Sequence, residues 1–222
     1  MYSDGRGRPR LERSRRPGRS AREEILDAAA ELFTAQGYAR TSTRQIAEAV
    51  GIRQASLYHH FGTKDDILDA LLWGTIDDPL RLAGELLTED GPAAPLLHAL
   101  VVFDVGQLCT GRWNLGALYL LPELRTPRFQ PFRLRRGELR DRYAALARRV
   151  IAESAGPDDA YDLPFRLVES VINRRSDGEG RLADQPWIIA EAALRTLGFA
   201  GDFAALRTLT GQRLRLTDKV HV

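Results

Sequence analysis

From residue 25 onward the apolar side chains fall into a helical rhythm. Ile25, Ala28, Ala29, Leu32 and Phe33 follow the i, i+3, i+4, i+7, i+8 spacing of a helix with one buried stripe. Ser20, with Glu23 three places on, supplies its cap, and Gly37 stops it after about Gln36, with Tyr38 packing behind. From Ser42 to Phe61 the rhythm shortens into two small helices around a glycine turn. Ser42 and Gln45 form a capping box, Ile46, Ala47 and Val50 share a face, Gly51 ends the first helix and Ile52 follows as the apolar residue after a glycine cap. A second run, Gln54 to His60, buries Leu57 and, with Phe61 behind it, leaves Arg53, Gln54, Ser56, Tyr58 and His59 as a dense polar face. So short a helix needs neighbours to hold it, and a short helix with such a face is patterned for reading DNA. Thr63 and Asp66 then cap a fourth helix carrying Ile67, Leu68, Leu71 and Leu72.

Beyond this head the pattern predicts a larger helical body. The fourth helix is expected to break or kink near Asp78, because Gly74 and the Asp78-Pro79 pair weaken it. A very apolar helix is expected from Ala93 to Gly111, with Asp104 and Gln107 as polar intrusions that need a partner, either a neighbouring helix or a ligand. Trp113, Asn114 and Tyr119 are placed on a short helix. Pro122, Pro127 and Pro131 then mark a long irregular loop, with Phe129 and Phe132, of the kind that can form a pocket mouth. A helix from about Arg133 to Ser154 sets Leu139, Tyr143, Leu146, Ala147 and Val150 against a solvated arginine face. Two more helices, about Pro164–Arg175 and Gln185–Leu197, are joined by a flexible connector through Gly178 and Gly180, and a last short helix is expected within residues 201–216.

Charge changes this picture at one end only. The 222 residues carry a formal net charge of +2, yet residues 1–22 hold eight arginines against Asp4 and Glu12. The remainder of the chain is therefore net negative. Residues 1–19 are expected to form a disordered basic arm, serving either a polyanion or simply solubility. Within the arm, Arg6-Gly7-Arg8-Pro9 resembles the core of an AT-hook, in which arginines lie in a narrow minor groove. Hydrophobic content of 44% is ample for a core, and no apolar run is read as a membrane span, Leu96–Phe103 being short and interrupted by His98. No signal peptide is read at the basic N-terminus, and a single cysteine, Cys109, suits a reducing cytoplasm. Neither a metal nor a cofactor is implied, since the adjacent His59 and His60 point about 100° apart on a helix and have no completing ligands nearby.

The segment from Ala21 to Leu71 resembles the DNA-binding domain of the TetR family. The resemblance rests on Phe33 and Gly37 ending the first helix, Thr43 and Ile46-Ala47 in the second, Gly51, the run Leu57-Tyr58-x-His60-Phe61, and Lys64. It covers about fifty residues in order and at matching spacing. It implies an all-α protein: a three-helix DNA-binding head with a helix-turn-helix at residues 20–75, and a larger helical domain at 76–222 for effector binding and dimerisation. By the resemblance, Thr43, Tyr58 and Lys64 contact phosphates, and the helix through Asp78 carries motion from ligand to head. Arg44, Arg53, Gln54, Ser56 and His59 are left for bases or nearby backbone, and Arg6 and Arg8 for the minor groove. Arg53 stands where the family often has a small capping residue, and a guanidinium cannot cap as an acceptor. With Gln54 it is the first choice for specificity, arginine pairing with guanine and glutamine with adenine.

Phe103, Asp104, Gln107, Trp113, Asn114, Tyr119 and Phe165 are the candidate lining of an effector pocket, each with a plain core role as the alternative. Val168, Val171, Ile172, Ile189, Ala193, Leu194 and Leu197 could form the dimer interface, although periodicity alone cannot separate interface from core. The leading expectation is a homodimeric, cytoplasmic, non-enzymatic repressor of a palindromic operator in double-stranded DNA, released by an unknown small molecule and without membrane association. The alternatives are a helical carrier or enzyme with a structural head, and a ligand-independent architectural DNA-binding protein.

Overall fold

A computed structural model of the chain describes residues 16–18, 20–178 and 183–215. The expected arm, with Arg6 and Arg8, lies almost entirely outside the described residues, as do Gly180 of the connector and the chain's end. Among the described residues the fold is all-α, with no strand. The chain divides into two compact units, residues 1–68 and 69–222, so the division falls inside the fourth helix, before the expected boundary at residue 75.

The first unit is built from α1 (Ala21–Ala35), α2 (Thr43–Val50), α3 (Gln54–Tyr58) and the first turn of α4 (Lys64–Leu87). Its stops and starts are local chemistry. The Ser20 hydroxyl accepts from the Glu23 amide, and the Ser42–Gln45 capping box is complete in both directions. Gly51 ends α2 at φ +76°, in the left-handed region where a side chain would be strained, and the Ile52 amide closes back on the Ala47 carbonyl at 3.0 Å. Thr63 and Asp66 cap α4 reciprocally. The stripes meet as a core in which Ile25, Ala28, Ala29, Ile46, Leu57, Ile67 and Leu68 are fully out of water, and Phe33 meets Tyr38 edge-on at 4.9 Å between ring centroids. Arg16 marks where the arm joins this unit: it pairs with Asp27 at 2.9 Å and Glu31 at 2.7 Å and donates to the Ala49 carbonyl.

The second unit is organised around α5 (Ala93–Thr110), which packs against α6 (Gln130–Ser154), α7 (Leu163–Ser176), α8 (Gln185–Thr196) and α9 (Phe203–Arg213). Apolar on nearly every face, α5 is a central core helix. Averaged over its 18 residues it is also long and apolar enough to qualify as a membrane span, with a mean hydropathy of 1.4. The run read from the sequence, Leu96–Phe103, is shorter and contains His98. In the fold α5 is 67% buried by protein, and its His98 is wholly enclosed, with Nδ1 2.7 Å from the Thr210 hydroxyl of α9.

Several expectations are corrected here. Rather than breaking near Asp78, α4 runs from Lys64 to Leu87 with Pro79 inside it. Proline has no N–H for the carbonyl four residues earlier, which is that of Thr75. The Gln107 side-chain amide of α5 supplies that donor instead, reaching the carbonyls of Thr75 and Gly74, both at 3.1 Å. The proline-marked stretch is a chain of short 3-10 turns, Leu115–Leu120, Pro122–Arg125 and Pro127–Phe129, in place of a helix and an irregular loop. Phe129 and Phe132 are core residues, each 1% exposed. The arginine face of α6 staples neighbours: Arg133 donates to the Leu124 and Thr126 carbonyls, Arg142 to that of Leu80, Arg149 to that of Gly91, and Arg136 pairs with Glu169. All seven apolar residues suggested for a dimer interface are buried within the single chain. The outward apolar side chain on α8 is Ile188, half exposed.

Gln107→Ala should orphan the Thr75 carbonyl and lower unfolding stability by about 1–3 kcal/mol. Pro79→Ala restores an N–H at that point, so in its presence the cost of Gln107→Ala should shrink; equal costs in both backgrounds, measured by denaturant unfolding, would contradict this account of the helix.

Candidate nucleic-acid interface and effector site

In the first unit the turn at Gly51 sets α3 against α2, with Leu57 turned inward and the rest of α3 outward. Arg53 sits at the N-cap in extended conformation. Its carbonyl accepts from the Ser56 and Leu57 amides, while its exposed side chain makes no capping bond and has no partner among the described residues. Ser56 and His59 are likewise exposed, and among the described residues Arg44 pairs only with Glu48, across one exposed turn of α2, a contact that salt screens and DNA can replace.

Three of the predicted residues are brought together. The Thr43 and Tyr58 hydroxyls lie 3.0 Å apart, and the Gln54 side-chain nitrogen lies 2.9 Å from the first and 3.3 Å from the second. This triangle ties the first residue of α2 to both ends of α3. Lys64 is placed differently. Its ammonium donates to the Tyr38 and Thr41 carbonyls at 3.0 and 2.9 Å and lies 4.1 Å over the Tyr38 ring, so two of its three donors are already used by protein. The Tyr38 hydroxyl in turn donates to the Asp65 carboxylate. Neither the carbonyl partners of Lys64 nor the ion pairs of Arg16 carry a local sequence signal, because each joins residues far apart in the chain.

In the second unit the seven suggested effector-pocket residues are largely engaged with protein. Asp104 is buried and accepts from the Tyr143 hydroxyl at 2.9 Å. The Tyr119 hydroxyl donates to that of Thr75 at 2.6 Å, and Asn114 donates to the Ile172 carbonyl and the Ser176 hydroxyl. Gln107 serves α4 as described, Phe165 is buried against Tyr143, Trp113 lies under the Arg112 guanidinium, and Phe103 is half-buried. Asp104, Tyr119 and Phe165 share one small space with Thr75, Arg136 and Glu169, whose free volume is about 10 Å³, the room of a single water. Sequence reasoning missed Thr75, Tyr143, Arg136 and Glu169, whose roles arise only when five separate segments meet. A wider, open depression of about 520 Å³ lies at the end of α6, lined by Arg148, Ile151, Asp158 and Tyr161 among others, and includes none of the seven.

Burial drives the electrostatics of this core. The Asp104 carboxyl is pushed up to about 7, chiefly by desolvation; the Tyr143 hydrogen bond opposes the shift and nearby Glu169 adds to it. His98 is pushed down to about 4 by desolvation, with Glu191 opposing that shift and Arg207 adding to it. Burial also raises the Cys109 thiol, which leaves less of the reactive thiolate.

The comparisons with known proteins agree with this architecture. A sequence profile described as "Bacterial regulatory proteins, tetR family" matches residues 25–71. The crystal structure of Mycobacterium smegmatis AmtR is 69% identical and superposes with a TM-score of 0.90, covering 92% of this chain and 99% of that one. The HTH-type transcriptional repressor KstR2 of Rhodococcus jostii (strain RHA1) is 41% identical over 38% of this chain and 42% of its own length, so this match spans less than half of that relative. The HTH-type transcriptional regulator TcmR of Streptomyces glaucescens is 28% identical over 84% of this chain and 81% of its own length. The chain belongs to the TetR family of bacterial regulatory proteins.

The raised Asp104 carboxyl has a definite sign in stability. The folded chain holds this proton more tightly than the unfolded chain, whose carboxyl titrates near 3.8, so the Asp104 contribution becomes less favourable as pH rises from about 4 to about 7. His98 acts oppositely, its contribution weakening as pH falls from 6.5 towards 4. Asp104→Asn keeps an acceptor for Tyr143 and removes the titration. The stability of this variant relative to the native chain should therefore climb across pH 4–7 in denaturant unfolding, and a flat difference would contradict the assignment.

Proposed function

We propose that the chain is a homodimeric, sequence-specific repressor acting in the cytoplasm, which holds a palindromic operator in double-stranded DNA and is released by a small-molecule effector. The observation that carries this reading is the face made by α2 and α3. Leu57 anchors a short helix whose remaining side chains are exposed and, apart from Ala55, polar, with Arg53, which has no partner among the described residues, at its start and Gln54 beside it. A helix N-terminus bearing arginine and glutamine suits base edges in the major groove, where arginine pairs with guanine O6 and N7. The near full-length likeness to AmtR, and the description of KstR2 as a transcriptional repressor, support the same reading.

Phosphate contact falls to Lys64 through its remaining donor, Arg6 and Arg8 of the arm reach into the minor groove, and Arg44, Arg53, Gln54, Ser56 and His59 face bases or adjacent backbone. The homodimer sets two heads at the spacing of successive major grooves, with the outward side of α8 around Ile188 contributing to the contact. The effector acts at the Asp104, Tyr119 and Phe165 core. Since that space admits about one water, a larger effector must open the core, and it releases DNA only through a higher affinity for the opened state.

Selection from random duplexes by the full chain at moderate salt tests this directly. An inverted repeat should emerge, with half-site centres about ten base pairs or a multiple apart. Arg53→Ala should cost about 1–3 kcal/mol at one guanine-preferring position and leave the others intact. Failure to enrich any sequence would sink the repressor reading.

A further inference from the structure

Thr43 and Tyr58 stand where phosphate contacts are expected, yet both hydroxyls face a protein group. With separations of 3.0, 2.9 and 3.3 Å, the Thr43 hydroxyl, the Tyr58 hydroxyl and the Gln54 amide nitrogen form a nearly equilateral triangle on the exposed face. The three residues come from the start of α2, the start of α3 and the end of α3. A glutamine at the first position of an exposed helix would otherwise sample several rotamers, and ordering it on a base edge would cost binding free energy. Here that ordering is done before DNA arrives. The tether also leaves one pole outward. The nitrogen is engaged, while the carboxamide oxygen has no partner among the described residues. An oxygen left outward accepts hydrogen bonds, and in the major groove the base donors are adenine N6 and cytosine N4.

We propose that Thr43 and Tyr58 are positioning residues for base reading by Gln54, holding its amide nitrogen so that its carboxamide oxygen meets a donor on adenine or cytosine. This deepens the DNA-reading function proposed above and rests on it. It assigns the two hydroxyls a part in specificity, where phosphate contact would give them a part in affinity alone. Removing either hydroxyl therefore loosens discrimination at the one base pair that Gln54 reads.

Binding of full-length Thr43→Val, Thr43→Ser, Tyr58→Phe and Gln54→Ala chains to the selected operator, and to its single-base variants, tests the proposal. Gln54→Ala should identify one position where adenine or cytosine is preferred, by roughly ten-fold. Thr43→Val and Tyr58→Phe should lose several-fold of that preference at the same position, Thr43→Ser should retain it, and Thr43→Val should cost nothing further in the Gln54→Ala background. Ser42, the helix cap, is untouched in all of them, and unchanged unfolding midpoints would show that the head still folds. A uniform loss on every sequence from Thr43→Val, persisting in the Gln54→Ala background, would overturn the proposal in favour of phosphate contact. So would undiminished binding to operators in which the exocyclic amino group of that adenine or cytosine is removed, leaving purine or 2-pyrimidinone. Absence of any sequence preference in the native chain would overturn the DNA-reading function itself, and the proposal with it.

Discussion

Removal of Leu57 from water is the interaction on which the head depends. A helix of five residues has no stability of its own, and α3 lacks even a side-chain cap at Arg53. What holds it is one leucine, 0% exposed, set among the stripes of the first unit, a burial that contributes about 1.5–3 kcal/mol. Its position leaves the neighbouring residues of the helix no choice but to face outward. The Gly51 turn fixes the direction of approach, and the Thr43–Tyr58–Gln54 triangle fixes what the outward face presents. Anchor, turn and polar face thus form one device, in which each part is useless without the others.

The second unit meets a different constraint. Its central helix α5 is apolar enough to be enclosed on every side, and the polar groups it carries must then be satisfied inside. The Nδ1 of His98 meets the Thr210 hydroxyl while its buried Nε2 has no partner among the described residues, Asp104 meets the Tyr143 hydroxyl, and Gln107 meets the carbonyl that Pro79 leaves without a donor. The last of these removes a weakness from α4. Because a proline and its compensation lie on different helices, continuity of α4 through residue 79 depends on α5 staying in place.

These two units also mark what could be read from the chain alone. Features governed by neighbours in sequence were legible: the Ser20 and Ser42 caps, the Gly51 stop, the Thr63–Asp66 cap and the buried stripe from Ile25 to Phe33. The face of α3 was legible for the same reason, since a short run with one inward leucine has only one way to sit. What escaped were pairings across the chain. Pro79 reads locally as a helix breaker, and nothing near it reveals Gln107. Gln107 and Asp104 read locally as polar intrusions whose partner could be a neighbouring helix or a ligand, and only the fold brings up the Thr75 carbonyl and the Tyr143 hydroxyl from other helices. The apolar stripes of α7 and α8 could equally have met a second chain, and the fold spends them on its own core.

The central claim is that the face built on Leu57 is the surface that meets DNA. Amide hydrogen exchange of the full chain, alone and bound to its selected operator, measures this most directly. The account predicts that binding slows exchange at the start of α2, around Ser42 to Gln45, and along α3 from Gln54 to Tyr58. Slowing confined to other segments, with these amides unchanged in the bound state, would contradict it.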